Sequence, residues 1–308
     1  PRAPAPAPSV FPAGDADPGR LFPASRTLTR YNEPQNANRV TSACSPLILR
    51  DPLLGDEFFG NGFACETVHN LVRRVVLEPE GATFAGRRAA DEQDREFLAS
   101  TDSWFRPAQV RTGPDGAMWV VDMYRFVIEH PRWISPERLE TLDVRAGADM
   151  GRIYRVVPEG RPLRPVANLD AMTTAELAAA LDTRNGTVRD TVQRLLDHRR
   201  DPVPKAPLAK VARASEHPEA RAQAVAALDV LGLLDADILA AALADAHPGV
   251  RREAVRVAEP RLATDAAVGA AVLKLADDED VRVRYQVALS LGEWDAPEAG
   301  EALGAIAV

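Results

Sequence analysis

No stretch of this chain approaches the roughly 18 consecutive apolar residues of a membrane-crossing helix. It also lacks a basic excess. Lys and Arg number 37 against 45 Asp and Glu, giving a net charge of −8 and a pI near 5.3. That balance argues against a general nucleic-acid binder, which needs a basic face. Cysteine is scarce: Cys44 and Cys65 are the whole complement. Neither lies in CxxC or CxxCH, so neither a cysteine zinc site nor a covalent haem attachment is written here. The two thiols leave two readings open, a disulfide made in an oxidising compartment or a pair of buried free thiols. No signal peptide opens the chain. It starts at Pro1, which suggests a fragment or processed product, and the compartment is not readable from that terminus.

Aromatic residues are almost missing from the second half. Of 17 Phe, Trp and Tyr, 15 precede residue 160, and only Tyr285 and Trp294 follow it. The second half is rich instead in Ala, Leu, Val and Arg. Two architectures are therefore expected, joined by the Pro-rich Pro158–Pro165 (PEGRPLRP). A length of 308 residues and a hydrophobic fraction of 46% suit two globular domains.

The first half is organised around Glu96–Trp133, which holds three of the four tryptophans and most of the polar groups able to form a site. Gln109–Thr112 reads as a short strand. Gly113-Pro114-Asp115-Gly116 is a turn, with Pro114 fixing φ and glycines free to take positive φ. Ala117–Asp122 (AMWVVD) is a buried strand of β-formers that surfaces at Asp122-Met123-Tyr124-Arg125. Strand, GPDG, strand, Asp is how a β-propeller blade is often written. Upstream, Pro1–Pro8 is a polyproline-like arm and Phe11–Asn32 irregular. Strands are expected over Leu47–Arg50, Gly60–Glu66, Asn70–Leu77, in Thr83–Ala90 and over Gly151–Val156. Turns are expected at Thr67–His69 and Glu78–Gly81. These make about two blades, too few for a closed ring of roughly four strands per blade.

The second half repeats. Segments beginning at Asn185, His217, His247 and Glu279 align on Val188, Ala220, Val250 and Val281, at offsets of 32, 30 and 31 residues. Each carries an Arg at a turn (Arg189, Arg221, Arg251, Arg282), expected to ladder with nearby acids, and then apolar residues at helical spacing. Further helices are expected over Thr174–Leu181, Pro207–Ala214, Asp237–Ala244 and Ala266–Leu275, the first capped by Thr173 or Thr174. Paired helices at this period resemble HEAT repeats, which serve as binding surfaces or spacers. The expected fold class is thus β then α: the last blades of a propeller followed by an α-α solenoid. The expected divisions are a Pro-rich arm at 1–24, propeller blades at 25–157, a linker at 158–168 and the solenoid at 169–308.

The words ANRVTSAC, FACETVHNLVRR, EFLASTDSWFRP, GPDGAMWVVDMYR, VIEHPRWI and GRIYRV, followed by HEAT units, closely resemble the planctomycete-type membrane-bound dehydrogenase proteins. Their propeller is similar to that of quinoprotein glucose/sorbosone dehydrogenases, and a c-type cytochrome domain often follows their HEAT repeats. The resemblance implies a sugar or alcohol dehydrogenase using pyrroloquinoline quinone (PQQ) with calcium, in the periplasm or cell envelope. Earlier blades and any haem c domain are missing from this stretch, so the chain alone is expected to be inactive. Toward that chemistry, Arg106 and Arg125 would pair quinone carboxylates, and Trp104 and Tyr124 would stack on the ring system. His69 is the best local acid/base group, with His130 behind it, and Asp122 and Glu66 offer hard oxygens to a metal. A different reading is a non-catalytic propeller–HEAT scaffold binding a protein or glycan, with a protein partner on the solenoid.

Overall fold

The computed structural model describes residues 19–26, 38–199 and 205–307. The chain separates into two compact units, the first ending at Pro165 and the second beginning at Val166.

The first unit is built of antiparallel strands. β1 (Ala43–Ile48), β2 (Gly62–Glu66), β3 (Leu71–Glu80) and β4 (Thr83–Arg87) lie in that order, and β5 (Leu98–Ala99) pairs with β3. β6 (Pro107–Thr112), β7 (Met118–Asp122) and β8 (Arg152–Val156) form a second, three-stranded sheet. Neither sheet closes on itself. Alternation explains the packing: Val110 of β6 and Met118 and Val120 of β7 point inward, meeting Phe63 and Cys65 of β2 and Val72 of β3 in one core. A single turn of helix, α1 (Pro136–Leu139), lies in the loop before β8.

Turn chemistry sets most of the register. In the Gly113–Gly116 turn, Gly116 N–H donates to Gly113 O at 3.0 Å, and Gly116 alone of the two glycines is left-handed, at φ +87°. Asp115 is buried there and accepts from Ala117 N–H and Trp119 Nε1. The turn expected over Glu78–Gly81 is displaced. β3 runs on to Glu80, and the chain reverses at Gly81, at φ +56°. Pro79 is tolerated inside the strand at an exposed position. Of the Pro-rich arm at 1–24, residues 1–18 lie outside the described residues. Its described end is paired: Leu21 N–H donates to Asn38 O and Val40 N–H to Gly19 O, with Leu21 buried.

The second unit is helical throughout. α2 (Thr174–Ala180), α3 (Gly186–Arg199), α4 (Lys205–Ala214), α5 (Pro218–Val230) and α6 (Ala236–Leu243) are followed by α7 (Pro248–Ala258), α8 (Ala266–Lys274), α9 (Val281–Leu291) and α10 (Pro297–Ile306). The even-numbered helices pack on one another in one layer and α3, α5, α7 and α9 in the other, as in a helical solenoid. Thr173 opens α2 with a capping box: its hydroxyl accepts from Glu176 N–H, and the Glu176 carboxylate accepts from Thr173 N–H. α10 has no counterpart among the expected helices. It starts at an uncapped Ala296, and Gly300 and Gly304 weaken its pattern.

One motif recurs at the start of each odd-numbered helix from α3 to α9. Two residues before the cap, a side chain accepts the cap's N–H: Thr183 for Asn185, Ser215 for His217, Asp245 for His247 and Asp278 for Asp280. Four residues after the cap, an Arg donates back to the carbonyl of that same residue, Arg189 to Thr183, Arg221 to Ser215, Arg251 to Asp245 and Arg284 to Asp278. The expected register therefore slips in the last repeat. Val283 and Arg284, not Val281 and Arg282, hold the repeating positions, and the caps are 32, 30 and 33 residues apart. Arg282 turns back to its own cap, Asp280.

The Arg residues also reach forward. Arg221 forks onto both Asp245 oxygens at 2.8 Å each, and Arg251 onto Asp278 at 2.7 and 2.8 Å. Arg189, which has Ser215 rather than an acid ahead of it, bonds Gln223. Three of the acids involved answer to this. Burial pushes Asp245 and Asp278 up, but the guanidinium bonds together with the backbone N–H of His247 and of Asp280 hold both below the usual value, while the Arg282 bond holds Asp280 down at about 2.

Candidate functional site

The β6–β7 pairing continues beyond the strands. Met123 N–H donates to Arg106 O and Arg125 N–H to Trp104 O, both at 3.0 Å. This brings Trp104 beside Tyr124 and Phe126, with ring centroids 5.7 and 5.6 Å away. The three rings are half-buried and form a platform. Arg152, from the neighbouring β8, lays its guanidinium 3.7 Å from the Tyr124 ring centre. Asp102 accepts from Tyr124 Oη at 3.0 Å, a bond that holds the phenol above its usual pKa.

Tyr124 is held in an unusual backbone state, φ +51°, which only a few non-glycine residues adopt. Asp122 stabilises it: Oδ1 accepts from Tyr124 N–H at 2.8 Å and from Arg106 N–H at 2.7 Å. The other oxygen, Oδ2, is buried with no hydrogen-bond partner, and the nearest cation is Arg152 Nε at 3.9 Å. Gly147 approaches so closely that a Cβ there would lie 2.2 Å from Tyr124 O.

Arg106 is 4% exposed and serves the backbone. Four of its five N–H groups donate to Arg125 O, Thr67 O, Val68 O and Phe126 O. Burial pushes its pKa down, against the pull of Glu129 and Asp122. Arg125 donates to Arg145 O.

His69 and Glu66 form a separate buried pair at the turn between β2 and β3. His69 Nε2 accepts from Asn38 N–H at 3.0 Å, so the proton sits on Nδ1, 3.2 Å from Glu66 Oε1. Glu66 also accepts from Ser42 N–H, Ser42 Oγ and Thr41 N–H. Burial pushes the Glu66 carboxyl up, but the bonds from His69 and Ser42 hold it below its usual value. Asn70, at φ +59°, closes the same turn by donating to Ser103 O and Phe105 O. His130 is an exposed cap: its Nδ1 accepts from Arg132 N–H.

The structure thus gathers Trp104, Tyr124, Asp122 and Arg106 at one end of the β6–β7 pair, with Arg125 in the same chain segment. The turn that carries His69 and Glu66 is tied to them through the carbonyls of Thr67 and Val68, which Arg106 binds, and through Asn70. Phe126 and Arg152 belong to the platform and escaped the sequence reading. Arg152 reaches the platform because it pairs with Asp122 across β7–β8.

Of the two cations expected to meet quinone carboxylates, Arg106 is bound to carbonyls, while Arg125 lies at the rim of the platform and donates to Arg145 O. Both nitrogens of His69 are taken by protein. Among the described residues no group of three or more His, Cys, Asp or Glu is placed to hold a metal ion. Among the same residues no helix is long and apolar enough to cross a membrane. The platform can offer an aromatic face rimmed by Arg152, Arg125 and Asp102.

Two family matches bear on this arrangement. Residues 4–160 match a domain of unknown function (DUF7133), and residues 236–308 match HEAT repeats. No curated protein matches the chain.

Proposed function

Taking as premise that the chain belongs to the DUF7133 family, we propose that it is a non-catalytic binding module, a propeller-like β unit followed by a HEAT solenoid. One observation carries this reading: the groups best suited to catalysis, His69 and Arg106, have their polar atoms bound to backbone and to Glu66. The aromatic cluster of Trp104, Tyr124 and Phe126 is the ligand surface, and tilted rings bordered by polar groups suit a sugar ring. The solenoid supplies the surface for a protein partner.

A second reading is supported by Asp122 Oδ2 and by the resemblance to quinoprotein dehydrogenases. In it, this chain is part of a cell-envelope sugar or alcohol dehydrogenase whose remaining blades supply the base and the quinone site. A separate domain would then supply haem c.

Calorimetric titration of the full chain with neutral oligosaccharides, and separately with PQQ plus calcium, distinguishes the two. Saturable oligosaccharide binding that is lost in Trp104→Ala supports the module. Saturable quinone binding without oligosaccharide binding overturns it.

A further inference from the structure

Cys44 and Cys65 are the two cysteines of the chain. Neither is used by the platform, and both are free thiols. Cys44 on β1 and Cys65 on β2 stand directly opposite each other in the antiparallel ladder. Directly opposed residues in such a pair have Cα atoms about 4.5–5.5 Å apart and side chains on the same face, within the span a disulfide needs. Just beyond Cys44 the register shifts and Ser45 takes φ +52°. Ser45 is anchored to β6 there, its hydroxyl accepting from Val110 N–H at 3.0 Å. The bulge pins β1 with Cys44 facing its partner.

The two thiols differ in access. Cys65 is fully buried in the core, and Cys44 is half-buried beside the Thr67 hydroxyl. We propose that Cys44 and Cys65 are a redox-active pair that closes a reversible cross-strand disulfide by exchange with a low-molecular-weight disulfide. Cys44, as thiolate, attacks one sulfur of the small disulfide and releases one small thiolate. The Cys65 thiolate then attacks the Cys44 sulfur of the mixed disulfide, releasing the second. Two protein thiols lose two protons and two electrons, and the small disulfide gains them as two thiols. Burial above all, and the neighbouring Cys44 after it, push the Cys65 thiol up to about 12.

The test is equilibration of the full chain in glutathione buffers of graded redox ratio, acid quench, alkylation of remaining thiols and peptide mapping without reduction. The expected result is a peptide pair joined through Cys44 and Cys65. Its fraction should follow the ratio of oxidised glutathione to the square of reduced glutathione, and reverse when the ratio is reversed. In Cys44→Ser no cross-link forms, and Cys65 stays unalkylated while the chain is folded. A stable glutathione adduct on Cys44 with Cys65 free at every ratio would overturn the proposal. So would two thiols that remain reduced throughout, or cross-links between two chains. The wild-type titration decides the matter even if the variant does not fold.

Discussion

Arg251→Ala is the sharpest perturbation of the helical unit. The side chain is 9% exposed and Asp278 only 5%. The change removes two charge-assisted bonds to Asp278 and the donations to Asp245 O and Ala246 O. It also leaves the Asp278 carboxylate with little solvent, accepting from the Asp280 N–H. Breaking a well-buried pair by removing one partner costs about 3–5 kcal/mol, and the edge of this turn keeps some water, so the expected cost is about 2–4 kcal/mol. Arg282→Ala is the control. Arg282 bonds its own cap, Asp280, rather than an acid of the next repeat, and with partial solvent screening the expected cost is about 1–2 kcal/mol, below that of Arg251→Ala. Arg284→Ala should fall between them, because Arg284 bonds the carbonyls of Asp278 and Glu279 rather than a carboxylate of the next repeat. Urea unfolding followed by far-UV circular dichroism reads all three. If Arg282→Ala costs as much as Arg251→Ala, the register deduced for the last repeat is wrong.

The helical unit should also lose stability in acid. Asp245, Asp278 and Asp280 are held below their usual value of 3.8, Asp280 at about 2. Depressed acids stabilise above the unfolded pKa and cease to do so as pH falls through the folded one, so the loss should run from about pH 4 to about pH 2. A flat urea midpoint across that window would contradict the ladder. Asn70→Ala in the β unit removes two bonds to carbonyls and keeps the left-handed backbone, and should cost about 2–4 kcal/mol in thermal or denaturant unfolding. Thr173→Ala removes the hydroxyl of the capping box and should cost about 1 kcal/mol.

The parts legible in the sequence are those governed by local chemistry. GPDG with alternating apolar residues announces β6 and β7, and Thr173 with Glu176 announces α2. The hairpin at Gly81 was masked by Pro79, which reads as a turn residue but sits in an exposed strand position. In VRVR, two arginines two residues apart fit the repeat equally well, and only the cap at Asp280 decides between them. At the platform, Trp104 and Tyr124 were legible as aromatic neighbours of a strand end. Arg152 was not, because a long loop separates it from them in sequence. The employment of His69 and Arg106 was hidden for a different reason: their partners are largely backbone groups, which carry no mark in the sequence.

The forward-reaching arginines are referenced to the start of their own helices, always four residues past the cap, while the caps themselves are unevenly spaced. Each repeat therefore carries its own ruler. Residues can be inserted beside exposed Gly232, ahead of buried Leu234 and the Asp235 cap of α6, without retuning the start of α7. A peptide grafted there would leave the stack in step, whereas a single insertion between His247 and Arg251 would uncouple that repeat from its neighbour.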